Sequence, residues 1–174
     1  MTHYTQQALL DYLSTHDIPY TLYTHAPLFT CEQAKDIVAQ MNIPGAGVKN
    51  LFLKDSKKNL YLITTLDDTK VDLKTVGKTL GAKELRFADA TLLMDYLGIE
   101  PGSVTPLALI NDTQSQVKVI IDAAVLKCNF IQVHPLKNSA TVVITPADLI
   151  KFFALTNKPY LVYDFINNTL NATC

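Results

Sequence analysis

Gly45-Ala46-Gly47-Val48-Lys49-Asn50-Leu51-Phe52-Leu53 and, beyond the polar stretch Asp55–Asn59, Leu60-Tyr61-Leu62-Ile63-Thr64-Thr65 are the two segments that decide the fold. Both are short apolar runs bounded by turn residues, with Pro44, Gly45 and Gly47 ahead of the first. A five-residue polar connection is too short for a crossover helix, so the pair predicts an antiparallel hairpin. Working outward, Val117–Ile121, Phe130–Val133 and Ala140–Ile144 are β-branched or aromatic runs split by turns, and each predicts a strand. Tyr20–Tyr23, Leu85–Phe87 and Tyr160–Phe165 add shorter ones, and the small-residue loop at Gly102 predicts a strand over Leu107–Ile110.

Helices fill the intervals. Leu9, Leu10 and Leu13 share one helical face in a segment ending near His16. Thr30-Cys31-Glu32-Gln33 has capping-box spacing and predicts a helix over Cys31–Gln40. Asp72–Leu80 is helical and stops at Gly81, and Asp89–Leu97 stops at Gly98. Thr145-Pro146-Ala147-Asp148 opens a last helix to Leu155, with a hydroxyl cap, proline at the first position and an acid in the first turn. The expectation is one α+β domain over residues 1–174, with a mixed, mostly antiparallel sheet flanked by helices. Beyond about residue 158 the tail carries little of this argument, and its polar end is expected to fray.

Composition narrows the function classes. A 174-residue chain buries roughly 70% of its unfolded surface, which needs no disulfide or metal staple. A hydrophobic fraction of 48% with 18% charged residues excludes a disordered chain or a coiled coil. The 15 basic and 16 acidic residues, net −1, argue against a strongly cationic nucleic-acid binder. No apolar run approaches the roughly 18 residues of a membrane span, and no secretory signal opens the chain. Cys31, Cys128 and Cys174 have neither disulfide nor zinc spacing, and His3, His16, His25 and His134 are scattered, so no metal site is expected. The chain reads as cytoplasmic. Nucleotide-cradle and nucleophile-elbow motifs are absent.

Three features carry chemistry: Lys49 and Asn50 at the head of the first strand, the loop Gly102-Ser103-Val104-Thr105-Pro106, and the polar turn from His134 to Thr141. By residue type alone they read as a solvated lysine, plain turn chemistry and a turn histidine.

Taken in order along the chain, further segments join these three. They are His25-Ala26-Pro27 with Phe29-Thr30, Lys49 to Asp55, Asp72-Leu73-Lys74 and Leu80-Gly81-Ala82, then Gly102 to Pro106, Leu109 to Asp112, and His134-Pro135-Leu136 with Asn138 and Thr141. Together they resemble the free-standing aminoacyl-tRNA deacylases related to the editing domain of bacterial prolyl-tRNA synthetase, the YbaK-like superfamily. The branch that clears alanine from proline tRNA is the nearest. This resemblance implies a carboxylic ester hydrolase acting on misacylated proline tRNA without cofactor, metal, DNA or membrane, with prolyl-tRNA synthetase as a further partner. It implies catalytic positions at Lys49, Asn50 and His134. The aminoacyl pocket would be bordered by Gly102, Ser103, Val104, Thr105 and Pro106, with His25 nearby.

An aminoacyl ester is already activated, so an oriented water and a stabilised oxyanion suffice. Lys49 suits an electrostatic role, since action as a base would need burial that nothing in the sequence indicates. Lys54, Lys57, Lys58 and Lys137 are candidate phosphate contacts, although a merely solvated face is the better reading of all four. Cysteinyl-tRNA(Pro) or another small misacylated substrate, and a tRNA-end binding module without turnover, remain open alternatives.

Overall fold

In the computed structural model, which describes residues 3–28 and 31–171, the elements run in the following order. They are α1 (Gln6–Thr15), β1 (Thr21–Thr24), α2 (Cys31–Gln40), β2 (Ala46–Lys54), β3 (Leu60–Leu66), α3 (Leu73–Leu80), β4 (Arg86–Phe87) and α4 (Ala90–Leu92). β5 (Val117–Asp122), β6 (Ile131–Val133), β7 (Ala140–Ile144), α5 (Pro146–Leu155), β8 (Tyr160–Asp164) and β9 (Thr169–Asn171) complete the list. α4 continues as a π-helical turn over Leu93–Leu97 before Gly98 ends it in the left-handed conformation.

The predicted hairpin forms as β2 and β3, in a register that sets Lys49 opposite Thr65 and Lys54 opposite Leu60. It sits centrally in the strand order β1-β7-β6-β2-β3-β5-β8-β9, with β4 also on β2. Five pairings are antiparallel, and β2–β6, β3–β5 and β5–β8 are parallel. The sheet is mixed and mostly antiparallel.

Side-chain alternation then divides the interior. Phe52, Leu60 and Leu62 join Leu9 and Leu13 of α1 and Phe152 and Phe153 of α5 in the larger core. Leu53, Tyr61 and Ile63 face the other way, with Val76 of α3, Ile120 and Tyr163. This double cover explains why β3 is buried from Leu60 through Thr65. Each large side chain so buried contributes about 1.5–3 kcal/mol.

Helix ends follow the local signals. Thr5, Asp72 and Thr145 accept from backbone amides at the starts of α1, α3 and α5, and Gly81 closes α3 with φ +68°. The Thr30 cap expected for α2 lies outside the described residues. No helix among the described residues is long and apolar enough to cross a membrane.

Two expectations are corrected. Leu107–Ile110 is no strand but part of a 3₁₀ helix over Pro106–Asn111. Thr105 caps it, Pro106 occupies its first turn, and every residue in it is buried, so four consecutive apolar residues satisfy a buried helical turn as well as a strand. The frayed tail is the second: β9 pairs with β8 and extends the sheet to Asn171. Between them the Asp164 carboxylate accepts from the amides of Ile166 and Asn167 and organises the turn.

Candidate functional site

β2 leaves β3 at its first residues, where Ala46 and Gly47 pair instead with Ile131 and Gln132 of β6. A cleft of about 360 Å³ opens at this end of the strand. It is lined by Gly47, Val48, Lys49 and Asn50, by Ile37 and Val38 of α2, by Gln132, Val133 and His134, and by Leu28, Asp67, Gly102, Val104 and Thr141. A volume of this size lies at the small end of small-molecule sites, roughly 300–1,000 Å³.

Lys49 and Asn50 leave β2 on opposite faces. The Lys49 ammonium donates to the carbonyl of Asp67, 2.9 Å away, and to that of Thr69. Two of its three N–H donors are therefore committed to the loop after β3, and one remains for a ligand. Asn50 faces the larger core. Its Oδ1 accepts from the Thr64 hydroxyl at 2.8 Å, and its Nδ2 donates to the Val104 carbonyl at 3.2 Å. That amide pins the glycine loop to the sheet.

His134 Nδ1 lies 3.0 Å from the Ala140 carbonyl. A carbonyl only accepts, so the proton sits on Nδ1 and Nε2 carries the lone pair. Burial pushes the His134 pKa below its ordinary value against the opposing pull of the Ala140 bond, and nearby His25 adds to the fall. The ring is neutral at physiological pH. His25 donates from Nδ1 to the Ala26 carbonyl, and its Nε2 accepts from the Thr141 hydroxyl at 3.0 Å, so it reaches the cleft through Thr141.

The glycine loop divides. Gly102 and Val104 line the cleft, whereas Ser103, Thr105 and Pro106 are buried behind it. Gly102 has φ +89°, a conformation that a β-branched residue adopts only under strain. Asn138 bonds Leu28 through both its side chain and its carbonyl, which holds the segment after His25 against the turn.

The lysines scatter. Lys54 pairs with Asp89 at 2.6 Å, and Lys57 and Lys58 lie in the turn at the far end of the hairpin, away from Lys49. None of these three lines the cleft. The register fixes them several residues along the strand, and each residue adds about 3.3 Å. Lys137 alone of the four lies in the turn bordering the cleft.

Sequence reasoning missed Ile37, Val38, Gln132 and Asp67. The signal for Asp67 is Gly47, where a Cβ would collide with the Asp67 carboxylate. Burial raises the Asp67 pKa, while Lys49 and Lys35 pull it down.

A family model described as the aminoacyl-tRNA editing domain matches residues 25–152, a span that contains every residue of the cleft. The chain belongs to the aminoacyl-tRNA editing domain family. Among its relatives in that family, the prolyl-tRNA editing protein ProX of Acetoanaerobium sticklandii is 38% identical over 147 residues, covering 84% of this chain and 88% of the relative. Prolyl-tRNA synthetase associated domain-containing protein 1 of Danio rerio is 35% identical over 162 residues, covering 92% and 87%. A crystal structure of a candidate trans-editing enzyme for prolyl tRNA synthetase superposes with a TM-score of 0.67 over 99% of this chain and all of that one. At 18% identity that likeness shows a shared fold.

Proposed function

We propose that this editing domain hydrolyses alanyl-tRNA(Pro), releasing alanine from proline tRNA in the cytoplasm. The observation that carries the reading is the Lys49 ammonium, anchored by two carbonyls in the same small cleft as a neutral His134 with its Nε2 lone pair. In the reaction, water oxygen bonds to the ester carbonyl carbon. The carbonyl oxygen becomes an oxyanion, and the bond to the ribose oxygen breaks as that oxygen takes up a proton. The third N–H of Lys49 stabilises the oxyanion or holds the terminal phosphate. Nε2 of His134 accepts from the attacking water. The adjacent ribose hydroxyl can protonate the leaving oxygen. Asn50 acts by holding Val104, and with it the pocket wall.

Size selection follows from the wall. A proline pocket in a synthetase rejects the smaller alanine weakly, since each missing methylene is worth only about 1–3 kcal/mol. A second site too tight for proline corrects the error, and stiff Ile37, Val38, Val104 and Val133 suit that role. Proline tRNA is the macromolecular substrate, and prolyl-tRNA synthetase is the partner that would hand it over.

The test is a deacylation panel at equal concentrations of alanyl-, cysteinyl- and prolyl-tRNA(Pro). Alanine should be released fastest and proline slowest. Faster release of cysteine would reassign the substrate. Equal rates, or hydrolysis of none, would overturn the editing assignment in favour of a tRNA-end binding module.

A further inference from the structure

On the face of the sheet away from Asn50 lies a carboxylate that the scheme above does not use. Asp122, the last residue of β5, is only 2% exposed. Its Oδ1 accepts from the Ala124 amide at 2.9 Å. Its Oδ2 accepts from the Thr65 hydroxyl at 2.5 Å and from the Thr69 hydroxyl at 3.4 Å. Among the described residues no lysine, arginine or histidine forms an ion pair with it. A buried carboxylate without a cation is costly, so three hydrogen bonds alone offset its desolvation.

Both threonines lead to Lys49. Thr65 is its cross-strand partner and occupies the same face. Thr69 offers its hydroxyl to Asp122 and its carbonyl to the Lys49 ammonium. The loop between them is a tight turn, closed by the Thr69 amide on the Leu66 carbonyl. Both sides of this turn are therefore tied to Asp122, and its Asp67 and Thr69 carbonyls form the seat of the ammonium.

We infer that Asp122 is a positioning residue for Lys49: through Thr65 and Thr69 it fixes the two loop carbonyls that aim the ammonium into the cleft. The inference rests on the deacylase reading of the cleft. It assigns a task to residues 57 and 53 positions apart in sequence that meet only because β3 and β5 pair in parallel.

Its test is a double-mutant cycle on the full chain, read as alanyl-tRNA(Pro) deacylation. Asp122→Asn keeps the shape and removes the charge. Thr69→Val removes one link while keeping the carbonyl, and Thr69→Ser restores it. Each of the first two should lower kcat about 10- to 100-fold with KM nearly unchanged, the loss expected when a catalytic group is displaced by about an ångström. Thr69→Ser should recover most of the rate. In a Lys49→Ala background, itself slowed at least about tenfold, Asp122→Asn should cause no further loss, because the seat then holds nothing. Additive losses in that background, or wild-type kcat in both single variants, would overturn the inference. If Asp122→Asn does not fold, the Thr69 variants decide it. Failure of the wild-type protein on the whole panel would instead sink the deacylase reading, so the two failures are distinguishable.

Discussion

His134 shows how much chemistry one hydrogen bond decides. Its Nδ1–H is committed to Ala140, so the proposed mechanism can draw only on the Nε2 lone pair, which protonation would remove. Because burial depresses its pKa from the ordinary 6.5, the folded protein takes up this proton at lower pH than the unfolded chain. Between those two pH values the unfolded state binds more protons, so His134 lowers stability as pH falls through that window and costs nothing above it. Deacylation kcat/KM should stay level down to about pH 6.5 and decline only below it. His134→Gln should be slower and lose that acid limb. A wild-type limb centred above 6.5, or one that persists unchanged in His134→Gln, would contradict the assignment. Lys49 teaches a different lesson: its place at the head of a strand was readable, but the carbonyls that hold it lie 18 and 20 positions away.

Among the elements, the segment from Gly102 to Asn111 behaves as one unit. Gly102 supplies the left-handed corner, Asn50 clamps Val104, and Thr105 with Pro106 starts the 3₁₀ helix. A Cβ at Gly102 meets only the Asn138 amide, at 3.7 Å, so space is available and the backbone angle is the obstacle. Gly102→Val should cost about 1–2 kcal/mol of stability. Assayed on the folded fraction, it should slow alanine release more than it weakens tRNA binding. Parallel losses, or none, would make Gly102 a turn residue only. Legibility also differs by element. A glycine stop marked α3 and a hydroxyl cap marked α5 closely, because those signals act within one helical turn. For Leu107–Ile110 the short apolar run fits two structures, and burial on every side chose the helical one.

Across the whole molecule, the tail is integrated by an interaction that no local pattern announces. Lys158, 4% exposed, donates to the Asp112 carbonyl and to Ser115 Oγ at 3.1 Å, with its ammonium 3.6 Å from Asp112 Oδ2. Burial lowers the Lys158 pKa, and Asp112 opposes the fall. Asp112 also accepts from the amides of Gln116 and Val117, so the pair locks the entry of β8 to the entry of β5. Lys158→Met leaves that carboxylate buried with its amide bonds but without its cation. A loss of about 3 kcal/mol is expected, seen as a fall in Tm of roughly 6–12 °C. A change below about 1 kcal/mol would mean that the amides alone satisfy Asp112.

By itself the sequence determined the hairpin, most strand and helix positions and the α+β class, because hydrophobic period, caps and turn residues act over a few neighbouring positions. It also carried the motifs that pointed to an editing domain. Tertiary structure alone decided that β9 completes the sheet, that Asp67 lies against Gly47, that α2 supplies Ile37 and Val38 to the cleft, and that Asp122 meets Thr65 and Thr69. The physical reason is range. Those contacts join residues far apart in sequence, and their free energy exists only once the strands have paired and excluded water.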